Sequence, residues 1–197
     1  QCVVSTGVLL AEGQRWTWRS LKRSLWLTAP RDPLTGQSYM AALWWIVPLG
    51  VIVVFAVDPA FGWLDRAFAA HLPAWMTPVY GDIMQLATPE NSGNWVLLWV
   101  ALVSSLFNYV FGEAFFFHGI LLPRMEGVFG RWAWVANAVF FGAYHIHKAA
   151  VFPTVIISCL VYSLPSQWTR SVWPALLIHG LEGVVLIAAV LIGILGG

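Results

Sequence analysis

Glu113 and Glu182 are the only acids inside the long apolar runs of this chain, and His118, His145, His147 and His179 lie in or at the ends of the same runs. A carboxylate with imidazoles is suited to activating water. The carboxylate takes the proton as general base, one histidine orients or polarises, and another donor stabilises an oxyanion. An ionisable side chain at the bilayer centre costs roughly 2.5–3.5 kcal/mol on insertion scales, so it persists where it faces a protein interior or a water-filled cavity. Singly, each of these residues also reads as a packing group or a helix-to-helix pair. Taken together they point to a site. Histidine and glutamate are also zinc ligands, but there is no His-Glu-x-x-His helix, and His145 and His147, two apart, are expected on different sides of a helix. A metal-free site is the first reading, and zinc held by Glu113, His145 and His179 is its alternative. No serine or cysteine has an obvious activating base.

The elements that position these groups are membrane helices. The chain has 197 residues, 59% hydrophobic and 10% charged, with a mean hydropathy of +0.75. An ordinary soluble domain carries about 25% charged residues. A bilayer core of ~30 Å takes about 20 apolar residues in a helix. Tyr39 to Val57, Trp95 to Leu122, Trp132 to His147, Ala149 to Leu164 and Trp173 to Gly197 meet or approach that length, and Val3 to Leu10 reads as the remnant of another span. The expected fold is all-α, a polytopic transmembrane bundle of about five to six spans in one integral membrane domain. Residues 1–38 form an N-terminal interfacial segment, 58–94 an outer loop and 95–197 the core that carries the candidate site. Arg15, Arg19, Lys22 and Arg23 recur at helical spacing opposite Trp18, Leu21 and Leu25, as in an amphipathic helix on the membrane surface.

A rise of ~1.5 Å per residue puts Glu113 ~14 Å, His145 ~21 Å and His179 ~9 Å from one and the same membrane face, so three spans can bring them together. The positive-inside rule makes that face cytoplasmic, since eight of the ten basic residues fall on it. The N-terminal segment is then cytoplasmic, and the expected location is a prokaryotic plasma membrane. A net charge of +1 argues against a nucleic-acid surface. Cys2 and Cys159 make neither a disulfide framework nor a metal cluster, and oligomeric state is not readable.

Three segments resemble one family. The run from Gly112 through Glu113, Ala114 and His118 to Arg124 is similar to the Glu-Glu-x-x-x-Arg motif of the CPBP family, the CAAX proteases and bacteriocin-processing enzymes. Phe141 to His145 matches its Phe-x-x-x-His motif, and Ser171 to His179 resembles the lead-in to its His-x-x-x-Asn motif. The resemblance implies an intramembrane glutamic endopeptidase without a cofactor. Glu113 would be the base, His145 its partner and His179 a stabilising or orienting residue, with His118, Phe141, Glu182 and Gly183 in support. The substrate would be a membrane-associated peptide or a prenylated protein, met among membrane lipid. Three departures stand out. Ala114 replaces the second Glu, His118 the Arg, and Gly183 the Asn, while Glu182 is an extra acid. Losing one oxyanion donor can cost ~10²–10³ in rate. A divergent active protease and a degenerate binding or immunity protein therefore both stay open, as does a proton-coupled carrier built on the same acids and histidines.

Overall fold

A computed structural model describes residues 1–76 and 86–196. Residues 77–85, which fall in the segment read as an outer loop, and Gly197 lie outside the described residues. The chain is all-α, 81% helical and without strands among the described residues. Among the described residues, four helical segments are long and apolar enough to cross a membrane: Met40–Ala69, Trp95–Tyr144, Ile146–Thr169 and Trp173–Ile194. The second folds back at Gly130, whose φ of +54° a side chain would strain, and so supplies two arms. Five arms result. Their outer faces carry Ile52, Phe55, Val100, Phe107, Phe140 and Val184 exposed, as a lipid-facing surface requires.

In chain order, α1 (Cys2–Ala11) and α2 (Trp18–Ser24) precede α3 (Leu43–Ala69). The next arm is α4 (Trp95–Ser104), a π-helical stretch Ser105–Leu121 and α5 (Leu122–Phe129). Then come α6 (Ala133–Tyr144), α7 (Phe152–Thr169) and α8 (Trp173–Ile194). The amphipathic surface helix is shorter than its charge pattern suggests, a seven-residue α2 capped by Thr17, which accepts from Ser20 N–H. Leu25, just beyond it, packs with Leu9 and Ile120. α1 runs beside the π-helical arm, its end fixed by Arg124, which donates to both carboxylate oxygens of Glu12 at 2.6 Å. That hydrogen bond holds the Glu12 carboxyl below its usual value of 4.5. A lowered folded value means that the tether's contribution is full above pH 4.5 and lost as pH falls through the folded value. Glu12 is solvent-exposed, so the effect on stability is under about 1 kcal/mol, and acidification is expected to loosen α1 with little change in overall melting.

α3 corrects the expected first span. It runs 27 residues, through Pro59, so positions 58–69 are helical rather than loop. The reason lies in Asp65, buried at 8% exposure, which accepts from Thr154 N–H (3.0 Å) and Thr154 Oγ1 (2.5 Å). The carboxylate caps the first turn of α7 from a neighbouring helix, where the backbone N–H groups have no intrahelical partner. Asp65→Ala is expected to cost about 1–2 kcal/mol, within the range for lost helix caps. A lower detergent melting temperature would show it.

α6 packs on α7 at Gly142, where a Cβ would meet Ile156 Cγ1 at 2.5 Å, so a side chain there would push the two helices apart. α8 packs on the π-helical arm and on α3. The central core joins Ile46, Phe117, Ala138, Phe141, Cys159, Tyr162, Ala175 and Ile178.

Candidate active site

The 12 residues of α6 span only about 18 Å, so its C-terminal end, where His145 sits, stays within the bundle. Glu113 comes from the π-helical stretch, where i→i+5 bonding winds the chain more loosely than an α-helix. Residues four and five apart then share one face, and Glu113, Phe117 and His118 are all buried on it. His179 comes from the second turn of α8.

The three predicted catalytic residues meet. Glu113 Oε2 lies 3.1 Å from His179 Nε2, and Glu113 Oε1 lies 3.6 Å from His145 Nε2. Exposures of 5%, 7% and 4% for Glu113, His145 and His179 place the cluster out of contact with lipid. His145 Nδ1–H donates to the Phe141 carbonyl at 2.9 Å. A carbonyl only accepts, so this bond fixes the tautomer, and in the neutral ring Nε2 faces Glu113 with its lone pair. Two acceptors 3.6 Å apart form a seat for a molecule that donates to both.

His179 is held at both nitrogens. Its Nδ1 lies 2.9 Å from Glu182 Oε2, and Tyr162 O–H donates to Glu182 Oε1 at 2.5 Å. The ring lies between two carboxyl groups, so the cluster satisfies every contact when the imidazole carries both N–H groups or one carboxyl is protonated. Tyr109 and Tyr162 lie with their ring centroids 5.0 and 5.1 Å from it, and Phe141 stands edge-on at 6.1 Å. A cavity of about 380 Å³ is lined by Glu113, His145, His179, Glu182, Phe141 and Tyr162, together with the side-chain donors Asn108, Tyr109, Lys148, Thr154 and Ser158.

Two of the supporting candidates lie elsewhere. His118, fully buried, has Nδ1 3.2 Å from the Ala114 carbonyl and Nε2 3.1 Å from Ser163 Oγ, and Ser163 donates to Asn137. It stands where the resembled motif has arginine, and these contacts tie the π-helical arm to α6 and α7. Gly183 faces Ser105, which donates to its carbonyl at 3.0 Å. A Cβ at 183 would lie 3.0 Å from Ser105 Cβ and 3.1 Å from Ser105 Oγ. Gly183→Asn, which restores the family residue, is therefore expected to overpack the α8 contact at a cost of about 1–3 kcal/mol. It should lower the detergent melting temperature.

His147 also differs from expectation. Its ring stacks on that of His145 at 5.6 Å, because α6 ends at Tyr144 and residues 146–151 form a tighter 3₁₀ turn. Sequence reasoning missed Tyr162, Tyr109 and Asn108. The one available signal was a polar-tipped residue in an apolar run, which Tyr162 shares with many packing tyrosines. Among the described residues, no group of three or more histidine, cysteine, aspartate or glutamate side chains is arranged to hold a metal ion.

Neither the curated proteins nor the solved structures contain a match to the chain. A family profile described as Type II CAAX prenyl endopeptidase Rce1-like matches residues 94–194, the stretch that carries Glu113, His145 and His179. With more than half of its length matched, and with the carboxylate and both histidines of the family's motifs gathered in one cluster, the chain belongs to the Rce1-like family of type II CAAX prenyl endopeptidases.

Proposed function

We propose that the chain is an intramembrane endopeptidase that hydrolyses a peptide bond with water activated by Glu113 and His145. The observation that carries this reading is the buried carboxylate of Glu113 between two imidazoles on the wall of a cavity of about 380 Å³. A water donating to Glu113 Oε1 and His145 Nε2 is oriented with a lone pair free. Its oxygen bonds to the scissile carbonyl carbon as its proton passes to Glu113. That proton then goes to the amide nitrogen as the C–N bond breaks, leaving a free carboxyl and a free amine. His179, clamped by Glu182, holds the second oxygen of Glu113 and keeps the first one aimed at the water. Asn108 and Tyr109 line the cavity, and on this reading their amide and hydroxyl supply the oxyanion donors that Gly183 lacks. The substrate on this reading is a membrane-associated peptide or lipidated protein.

The test is incubation of the purified protein in detergent with a peptide library, read by mass spectrometry, with Glu113→Ala as control. New termini that appear with the wild type and vanish with the variant support the proposal. Identical product patterns for the two, or no cleavage by either, would sink it. Treatment with EDTA separates direct water activation from the zinc alternative, in which loss of cleavage is reversed by added zinc. A second reading, a binding or immunity protein that keeps the fold without cutting, draws on the packing of Gly183 against Ser105, which leaves the family's oxyanion amide without a counterpart at that position. It predicts a partner retained undiminished and uncut by Glu113→Ala.

A further inference from the structure

A second cavity, of about 910 Å³, lies where the chain turns from α5 into α6 and where α7 ends, and Arg31, Arg131 and Arg170 line it. Its frame is fixed by short bonds. Arg31 N–H donates to the Thr169 carbonyl at 2.9 Å. Gln167 joins the start of α6 to the end of α7, accepting from Trp134 N–H at 2.8 Å and donating to the Gly130 carbonyl at 2.9 Å. Two acids line the cavity as well, and both are engaged. Glu126 pairs with Arg170 at 3.2 Å, and Asp32 Oδ1 accepts from the N–H groups of Leu34 and Thr35. Arg31 and Arg131 have no carboxylate partner among the described residues, and Arg131 lies 5.1 Å over the ring of Trp132. Their guanidinium groups are left to meet an anion, and the planar fork of N–H donors matches two oxygens of a phosphate.

Trp134, Leu164 and Trp168 line this cavity and also a neighbouring groove of about 390 Å³. Beyond them the groove is apolar, walled by Leu49 and Val53 of α3 and by Ile157, Leu160 and Val161 of α7. Leu49 and Leu164 are half exposed, so the groove opens on the lipid-facing surface. It follows α3 from Trp45 to Val53, ~12 Å of helix, and α7 from Trp168 back to Ile157, ~16 Å. One leaflet of a ~30 Å hydrocarbon core has about that depth. The tryptophans stand where the charged and the apolar parts meet, as such rings do at a membrane interface. Neither space shares a lining residue with the catalytic cavity, which takes Val54 and Phe55 of α3 and Ser158 and Tyr162 of α7 from different faces of the same helices. The occupant is therefore not the peptide at Glu113.

We propose that the arginine-lined cavity and the groove together bind one anionic phospholipid, its phosphate on Arg31 and Arg131 and an acyl chain between α3 and α7. A soluble anion would use the arginines and leave the groove uncovered. A zwitterionic lipid would fill the groove but bring a cation among three arginines. Basic pockets between membrane helices hold anionic headgroups by this balance of charge. The assignment stands apart from the protease reading, and its test needs no cleavage.

The purified full chain in detergent is titrated with phosphatidylglycerol and, separately, with phosphatidylcholine of the same acyl chains. Bound lipid is counted by native mass spectrometry. Phosphatidylglycerol is expected to bind one to a chain and in preference to phosphatidylcholine. Arg31→Gln combined with Arg131→Gln should weaken phosphatidylglycerol roughly 30-fold, the product of two arginines near an anionic headgroup, and leave phosphatidylcholine unchanged. Both arginines are exposed, so this variant should melt with the wild type. Lysine at both positions, which keeps the charge, should restore the preference. Val53→Trp, which fills the groove from a position 39% exposed, should weaken both lipids alike. Equal affinity of the wild type for the two lipids overturns the proposal, as does wild-type affinity in the glutamine variant or in Val53→Trp. Glycerol phosphate that binds as tightly as the lipid would also overturn it, leaving a site for a soluble anion.

Discussion

Glu113→Gln is expected to lower kcat by about 10²–10⁴-fold with KM little changed, the range that general acid–base catalysis contributes. Glutamine keeps the size of the side chain and an oxygen to face the imidazoles, so the contact to His179 at 3.1 Å can persist through one amide atom. What it removes is the ability to take a proton from water. A fall in kcat at constant KM marks an interaction made in the transition state rather than in substrate binding. The conservative replacement matters because breaking a buried charged pair outright can cost 3–5 kcal/mol, which would confuse misfolding with lost chemistry. His145→Ala is expected to fall into the same range, since on the proposed mechanism the ring supplies the second acceptor for the water. Kinetics in detergent, alongside melting temperatures within a few degrees of wild type, check both. Full activity in Glu113→Gln would place the base on another residue and dissolve the mechanism.

That much of the site was visible in sequence follows from the cost of burying ionisable groups in hydrocarbon. Glu113, Glu182 and His179 stand out in runs of Leu, Val and Phe because each needs a polar partner, and the bilayer leaves few places to find one. The bundle itself was legible for a related reason, since backbone groups in lipid must be satisfied within helices. Local winding was not legible. An α-helical reading sets Glu113 and His118, five apart, on different faces, whereas the π-helical stretch Ser105–Leu121 turns both inward. His147 was misplaced for the same kind of reason, because nothing in its neighbours announces that α6 stops at Tyr144. The extension of α3 past Pro59 was hidden as well. Its cause is a tertiary bond from Asp65 to Thr154, 89 positions away. Tyr162 escaped notice because a tyrosine in an apolar run says nothing about its hydroxyl until the chain folds it onto Glu182.

Tyr162 and Glu182 carry the other large effect. Glu182→Gln is expected to lower kcat by roughly 10–100-fold, the equivalent of the ~1.5–3 kcal/mol that a hydrogen bond to a charged group contributes. Neither residue is assigned a proton transfer to substrate. They act through His179, whose Nδ1 is held by Glu182 at 2.9 Å and whose Nε2 holds Glu113 at 3.1 Å. With a neutral amide at 182, the imidazole loses the carboxylate that faces its Nδ1 at 2.9 Å. Its grip on Glu113 then depends on the tautomer the amide selects. Tyr162→Phe removes only the hydroxyl that orients Glu182 at 2.5 Å, so a smaller loss, below about 10-fold, is expected from one hydrogen bond. The two effects are coupled, because groups in one network do not add independently. The double variant should therefore lose little more than Glu182→Gln alone. A merely structural role would instead lower the melting temperature in step with activity and give additive losses. The pH profile discriminates further: Glu182→Gln should displace the profile of kcat/KM relative to wild type, and Glu182→Asp, which keeps the charge on a shorter arm, should return it part of the way. An unshifted profile with additive losses would reduce Glu182 and Tyr162 to packing residues. The water-activating pair of Glu113 and His145 would then have to work without a fixed third member.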